Sequence, residues 1–372
     1  MTIPEKTLQA QIHELTLSRC SFAIYRLPWT DEPILVMQQE GEAQTLQQLT
    51  ELNGEKGFVL APFQVTPQHP IVLIRPDIVA KEWPAIGTAL KDLPQFPAAD
   101  NTCPSEPVQT ETTLKERYEA AFDRFITPLK EKKFQKLVLS RHYTTDLKED
   151  FRPLDTFIQA CNSYPRMMIS LCHTPQTGTW IGSTPEIILS GQEEQWHTVA
   201  LAGTMPMQGD VMPTEWSQKN QEEQAYVGDY IRKTIKKFGS KLTEKGPYTA
   251  RAGQLVHLKT DFHFMLKETG HLGDILHELH PTPAVCGLPK EQAYEFITAN
   301  EGGDRCYYSG IIGWLDPTGH TSLYVNLRCM HITGHQATLY AGGGILASST
   351  ADTEWEETQQ KMNTMRNILS LN

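Results

Sequence analysis

A mixed chain of α-helices and β-strands is what the sequence predicts, and three observations carry that expectation. The first ninety residues alternate helix-like and strand-like pieces. Long amphipathic helical patterns begin near Thr113 and Ser217. The segment KLVLSRHY from Lys136 is continuously rather than alternately apolar, the pattern of a strand covered on both faces. A chain of 372 residues accommodates two or three average domains or one large mixed unit.

In order, residues 8–18 read as helix and 21–27, 34–38, 57–61 and 71–74 as strands, none with evident chemistry. Residues 92–107, with prolines at 94, 97, 104 and 107, read as an exposed connection, either a domain boundary or a long loop. The next helix takes Thr113 as its cap and buries Leu114, Tyr118, Phe122, Phe125, Ile126 and Leu129. Lys136 stands at the mouth of the following strand, ordinarily a solvated position. A short helix over 154–162, a strand over 167–172 and a turn at Thr177-Gly178 follow. In TWIGSTPEIILSGQ, Glu186 opens an apolar run, either as a strand-edge solubiliser or as a partly desolvated acid with a raised pKa. HTVALAGTMP reads as a strand that breaks at Ala202-Gly203-Thr204, where small residues allow close ligand approach.

The helix over 217–238 carries Val227, Ile231, Ile235 and Phe238 at core spacing. Glu223 lies on its apolar side, as a first-turn partner of the helix dipole or as a cation ligand. From Arg251 a strand pair or one long strand is expected, then a short helix, a loop punctuated by proline and glycine, and a helix near Lys290. His277 and His280 lack the HExxH spacing of a zinc motif. Near the C-terminus, a strand over 324–330 and another over 337–340 form a hairpin that ends in Gly342-Gly343-Gly344 and presents bare backbone. Ser348, Ser349, Thr350 and Asp352 offer caps for a final helix whose apolar stripe is Trp355, Met362, Met365 and Leu369. Glu354, Glu357 and Lys361 share another face, which spacing alone makes a solvated ion pair.

A net charge of −11 argues against a general nucleic-acid binder. Seven scattered cysteines without CxxC spacing suggest neither a disulfide framework nor a zinc site and suit a reducing cytosol. No apolar run approaches the roughly 18 residues of a membrane span, so a soluble, cytoplasmic protein is expected.

The strings KLVLSR, GSTPEIIL, LAGT, LVHLKT, LHPTPAVCGLPKEQA, DRCYYSGIIGW, NLRC, YAGGGI and EWEETQQKMNTM occur in this order. Together they resemble the chorismate-utilising enzymes, most closely the isochorismate synthase branch, over residues from about 113 to the end. The resemblance implies an α+β fold of two orthogonally packed β-sheets flanked by helices. It implies one chorismate-binding domain over 1–372, with 1–105 adding to the same sheets and 113–370 as the core. It further implies magnesium-dependent isomerisation of chorismate, with water adding at ring carbon 2 and the carbon 4 hydroxyl leaving. By similarity Lys136 activates the water and Glu186 protonates the leaving hydroxyl, which requires desolvation to push their two pKa values toward each other. Magnesium would be held by Glu223 and Glu357 with Glu354 in support. KNQEEQ stands where relatives show a KDRxEH-like string, so Glu222 is an alternative to Glu223. The substrate would meet Arg328, Lys361 and backbone near Gly203, Thr204, Gly342 and Gly343, while Tyr308, Ile311, His257 and Ala284 line the ring pocket.

Within that family Lys136, with Ala202 rather than a lysine in LAGT, points to water rather than ammonia as nucleophile, and so to no glutaminase partner. The chain is expected as a monomer or weak homodimer. Salicylate synthase, which goes on to eliminate pyruvate, is the rival activity, and Ala284 in TPAVCG favours stopping at isochorismate. A non-catalytic chorismate-binding protein would not need the lysine and glutamate pair. The product would serve menaquinone or a catecholate siderophore, with the motif wording nearer the menaquinone branch.

Overall fold

The computed structural model describes residues 1, 4–91, 93–98, 107–207 and 209–369; Cys103 and most of the proline-rich connection lie outside them. Two nine-stranded sheets, antiparallel in every pairing given below, form an α+β fold with helices against them. In spatial order the first sheet is Gly287–Leu288, Lys136–Asp146, Gln336–Ile345, Cys329–Thr333, Gly178–Thr184, Met168–Thr174, Ser21–Arg26, Ile34–Gln38 and Ile78–Lys81. The second is Ser240–Ala252, Leu255–Met265, Gln195–Pro206, Ile187–Gln192, Thr321–Val325, Ile311–Leu315, Gly57–Ala61, Ile71–Ile74 and Gln44–Leu46. Strands from the first eighty-one residues thus join both sheets.

Central strands are covered on both faces: every residue of Ser21–Arg26, Met168–Thr174 and Thr321–Val325 is buried, polar ones included. The helix Gln218–Phe238 lays Val227, Ile231 and Ile235 on Phe262 and Phe264 of the second sheet. Each such apolar side chain contributes about 1.5–3 kcal/mol on full burial. Helices Glu111–Lys130 and Ala351–Leu369 cover the first sheet where Phe125, Leu137, Leu139, Ile345 and Trp355 share one core.

Two of the short links at which the chain crosses between sheets meet at one seam. Pro185-Glu186 joins Gly178–Thr184 to Ile187–Gln192, and Asn326-Leu327-Arg328 joins Thr321–Val325 to Cys329–Thr333. The links lie side by side: Val325 N–H donates to the Glu186 carbonyl at 2.9 Å and Ser183 N–H to the Arg328 carbonyl at 3.1 Å. The Thr184 hydroxyl donates to the Val325 carbonyl at 2.6 Å.

Several expectations are corrected here. The single strand over 324–330 is two strands in different sheets, because Arg328 turns the chain at φ +47°. The glycine run does not end its strand: Gly342, Gly343 and Gly344 pair with Ser140, Leu139 and Val138. Gln195–Pro206 does not break at Gly203; a bulge between Ala202 and Met205 absorbs the irregularity, with Gly203 at φ +71°. A β-carbon at Gly203 would lie 3.0 Å from Cβ of Asn220. Thr110, not Thr113, caps its helix, accepting from Thr113 N–H at 3.3 Å. Glu223 lies in the second turn of its helix rather than the first, out of reach of the N-terminal dipole.

One buried side chain ties these parts together. Arg305 donates to the Glu301 carboxylate at 2.7 Å, to the Val285 carbonyl at 2.6 Å and to the Val138 carbonyl at 2.9 Å. Glu301 also accepts Ser140 N–H at 2.6 Å. Replacing Arg305 by methionine leaves a buried carboxylate short of its counter-charge, so Arg305→Met should lower unfolding free energy by roughly 3–5 kcal/mol. Denaturant unfolding measures this, and an unchanged midpoint would refute the clamp.

Candidate active site

The seam between the two crossover links opens into a small cavity. Glu186, Gly203, Thr204, Glu223, His257, Ala284, Tyr308, Arg328, Gly342 and Lys361 line it, as do Val138 and Tyr340. Its volume is about 60 Å³, room for about two waters.

Lys136 lies just behind this lining and has no exposed surface, contrary to the solvated position expected of a lysine at a strand mouth. Its Nζ is 2.9 Å from Glu223 Oε1, an ion-pair distance, yet no well-aligned hydrogen-bond acceptor faces it among the described residues. Burial works to raise the Glu223 pKa, but the charges of Lys136 and Lys219 outweigh it and hold the carboxyl below its usual range. Gly344 makes the pair possible, since a β-carbon there would lie 2.1 Å from Glu223 Oε1 and 2.9 Å from Lys136 Cε. Glu223 and Glu222 separate cleanly: the first is buried, while the second is exposed and accepts from Gln218 Nε2 at 2.8 Å.

Glu186 is buried in its crossover link. Desolvation pushes its pKa up to about 8 against the opposing pull of Lys136, Lys361 and Arg328. The acid at the head of PEIIL is therefore neutral through most of the ordinary pH range.

Arg328, in the other link, is buried and donates to the Ala252 carbonyl at 3.1 Å and to Nε2 of His257. His257 Nδ1 is 2.9 Å from the Gly203 carbonyl, which can only accept, so the ring carries its proton there and offers Nε2 as acceptor. Burial, then Arg328 and Lys361, push the His257 pKa well below its usual value and keep it neutral. Burial lowers Arg328 to about 10. Lys361 donates to the Gly342 carbonyl at 2.9 Å and to Glu357 Oε1 at 2.7 Å.

The supposed surface acids of the last helix are also inside. Glu354 is 1 % exposed, and its Oε2 has no hydrogen-bond partner among the described residues. Burial and then the neighbouring Glu357 charge raise its pKa to about 7. Lys219, a residue the motifs did not single out, reaches Glu354 Oε1 at 2.6 Å. Burial opposes its charge, yet Glu223, Glu354 and Glu357 hold its pKa above the usual lysine value. The one signal for it was its i,i+4 spacing to Glu223. Tyr340 and Val138 were missed because nothing marks an apolar wall residue in sequence.

Glu354 and Glu357 line a separate opening with Lys219 and Glu222, and two of the expected substrate-binding residues, Ile311 and Gly343, do not face the cavity. Ile311 packs in the apolar core of the second sheet with Val59 and Leu323. Gly343 points to the opposite side of its strand, where a β-carbon would lie 3.2 Å from Glu354 Oε2 and 3.6 Å from Glu357 Oε1. Strand alternation explains this, because Gly342 and Gly344 take one face and Gly343 the other.

Magnesium fits the carboxylates present. Glu223, Glu354 and Glu357 supply only oxygen donors and one buried oxygen is unpartnered, with Glu223 lying against Gly344 on one face of the glycine strand and Glu354 and Glu357 against Gly343 on the other.

The chain is similar to several known proteins. The Salicylate biosynthesis isochorismate synthase of Pseudomonas aeruginosa is 29% identical over 72% of this chain, a match spanning only 58% of that protein's length. Isochorismate synthase EntC of Escherichia coli is 29% identical over 73% of this chain and 70% of its own. The solved menaquinone-specific isochorismate synthase of Escherichia coli superposes with a TM-score of 0.77 at 20% identity, covering 99% of this chain and 92% of that one, a likeness of fold. The model of the chorismate binding enzymes matches residues 48–370, a span holding both links of the seam and every charged group of the cavity, and the chain belongs to that family.

Proposed function

We propose that the protein interconverts chorismate and isochorismate, adding water at ring carbon 2 and releasing the carbon 4 hydroxyl. The observation that carries this reading is the pairing of two buried groups of opposite duty at one cavity: Lys136 behind its lining and Glu186, neutral up to about pH 8, on it. As the neutral amine, reached once the ammonium paired with Glu223 has released a proton, Lys136 takes a proton from the attacking water, and Glu186 gives its own to the departing hydroxyl.

The two substrate carboxylates need positive partners in an acidic protein. Arg328 and Lys361 supply them from neighbouring walls. Neutral His257 orients Arg328 without adding charge. Lys361, now bonded to Gly342 and Glu357, would exchange these partners for a substrate carboxylate. Magnesium would be held by Glu223, Glu354 and Glu357, where it offsets the substrate's negative charge. We take the buried Glu223 as the ligand in preference to the exposed Glu222, which accepts from Gln218 Nε2.

Relatives named for salicylate, menaquinone and siderophore synthesis all match, so the product is proposed to feed a menaquinone or catecholate siderophore route. No helix among the described residues is long and apolar enough to cross a membrane. We place the reaction in the cytoplasm, in a single chorismate-binding domain acting as a monomer or weak homodimer without a glutaminase subunit.

Purified protein incubated with chorismate and Mg²⁺ should give isochorismate in reversible equilibrium with chorismate, resolved by product chromatography. Salicylate with pyruvate, anthranilate formed with ammonium, or no magnesium-dependent turnover would each overturn the reading. Lys136→Ala should cut turnover by a factor of roughly a hundred or more while circular dichroism stays native. Normal turnover in that variant removes Lys136 from the reaction.

The pH dependence has a definite sign. Glu186 with its pKa raised to about 8 is protonated below that pH and ionised above it. Forward kcat should therefore fall as pH rises through that value, about tenfold per unit. A flat profile well above it would exclude Glu186 as the acid.

A further inference from the structure

Away from the proposed reaction, His69, Asp304 and Cys306 converge from two loops. One potential ligand atom from each lies within 4.8 Å of the others. His69 Nδ1 is 3.3 Å from Asp304 Oδ2. That matches the nitrogen–oxygen edge of a tetrahedron about zinc, about 3.4 Å for bonds near 2.0–2.1 Å.

Bonds made by other atoms hold the three in place. Asp304 Oδ1 accepts Cys306 N–H at 2.7 Å, leaving Oδ2 for His69. The Cys306 carbonyl accepts Phe63 N–H at 3.1 Å, and the residue sits at φ +49°. His69 is fixed by reciprocal backbone bonds with Thr66 at 3.1 Å and stands edge-on to Tyr307, with ring centroids 5.8 Å apart. The Tyr340 hydroxyl is 3.8 Å from the Cys306 sulfur and donates to it. Such outer contacts orient ligands around a metal.

We infer that His69, Asp304 and Cys306 form a binding site for a thiophilic divalent cation of the zinc type. One sulfur, one imidazole nitrogen and one carboxylate oxygen suit a borderline-soft ion, unlike the all-oxygen set of Glu223, Glu354 and Glu357. Three protein ligands leave the fourth position to water. His69 and Cys306 both border a cavity of about 490 Å³, and the Asp304 side chain is 64 % exposed, so the ion has a route in. Tyr340 lines the first cavity as well, so one side chain borders both places.

The test uses metal-free full-length protein in saturating Mg²⁺, titrated with Co²⁺ as a coloured stand-in for zinc. One equivalent should raise a thiolate-to-cobalt charge-transfer band, and Zn²⁺ should bleach it. Cys306→Ser should abolish the band, and His69→Ala should weaken Co²⁺ binding roughly tenfold or more. No band in the wild type, or a band that survives Cys306→Ser, overturns the site. The thiolate band does not report on the carboxylate cluster, so the outcome is independent of the proposed activity.

Discussion

A lysine without exposed surface is tolerable only beside a counter-charge, and the Lys136–Glu223 pair is the contact on which the arrangement rests. Each ion loses several kcal/mol of hydration on burial, which the partner's field must offset. Lys136 comes from the first sheet and Glu223 from the helix that covers the second, so the pair also couples the two layers electrostatically. Its imperfect alignment leaves the ammonium short of acceptors. Buried pairs seldom add net stability over an apolar substitute, so this one is better understood as held in readiness for chemistry than as a staple.

The seam between the sheets explains why the charges gather there. At this seam the chain changes sheets twice, within two and three residues, and these links carry Glu186 and Arg328. A residue in a link is released from strand alternation, so it can project into the gap while its backbone is bonded to the neighbouring link. Acid and guanidinium are thereby delivered to one cavity from opposite directions of chain travel.

Much of this was legible in the sequence, and what was not has physical reasons. Covered strands show as apolar runs, and amphipathic helices as three- and four-residue spacing, so KLVLSR and the helix with Val227, Ile231 and Ile235 were evident. Burial of charge was not: Lys136, Glu186 and Glu354 look like surface residues locally because their partners lie far away in the chain. The crossover at Arg328 was hidden because Tyr324 to Met330 keeps an alternating pattern across a change of sheet. Ile311 and Gly343 were misplaced for the complementary reason, since a motif carries neighbours of a site residue along with it and strand alternation turns every second one away.

The glycine strand has a consequence for remodelling the molecule. Gly342 and Gly344 meet Tyr308, Lys136 and Glu223 on one side, and Gly343 meets Glu354 and Glu357 on the other. The strand acts as a partition one backbone thick, with acidic side chains against both faces. A side chain at Gly343 or Gly344 would press on a charged group and one at Gly342 on the Tyr308 hydroxyl, so the strand is a poor place for redesign. New substrate preference is better written on wall residues that have a side chain to change, such as Ala202, Ala284 and Val138.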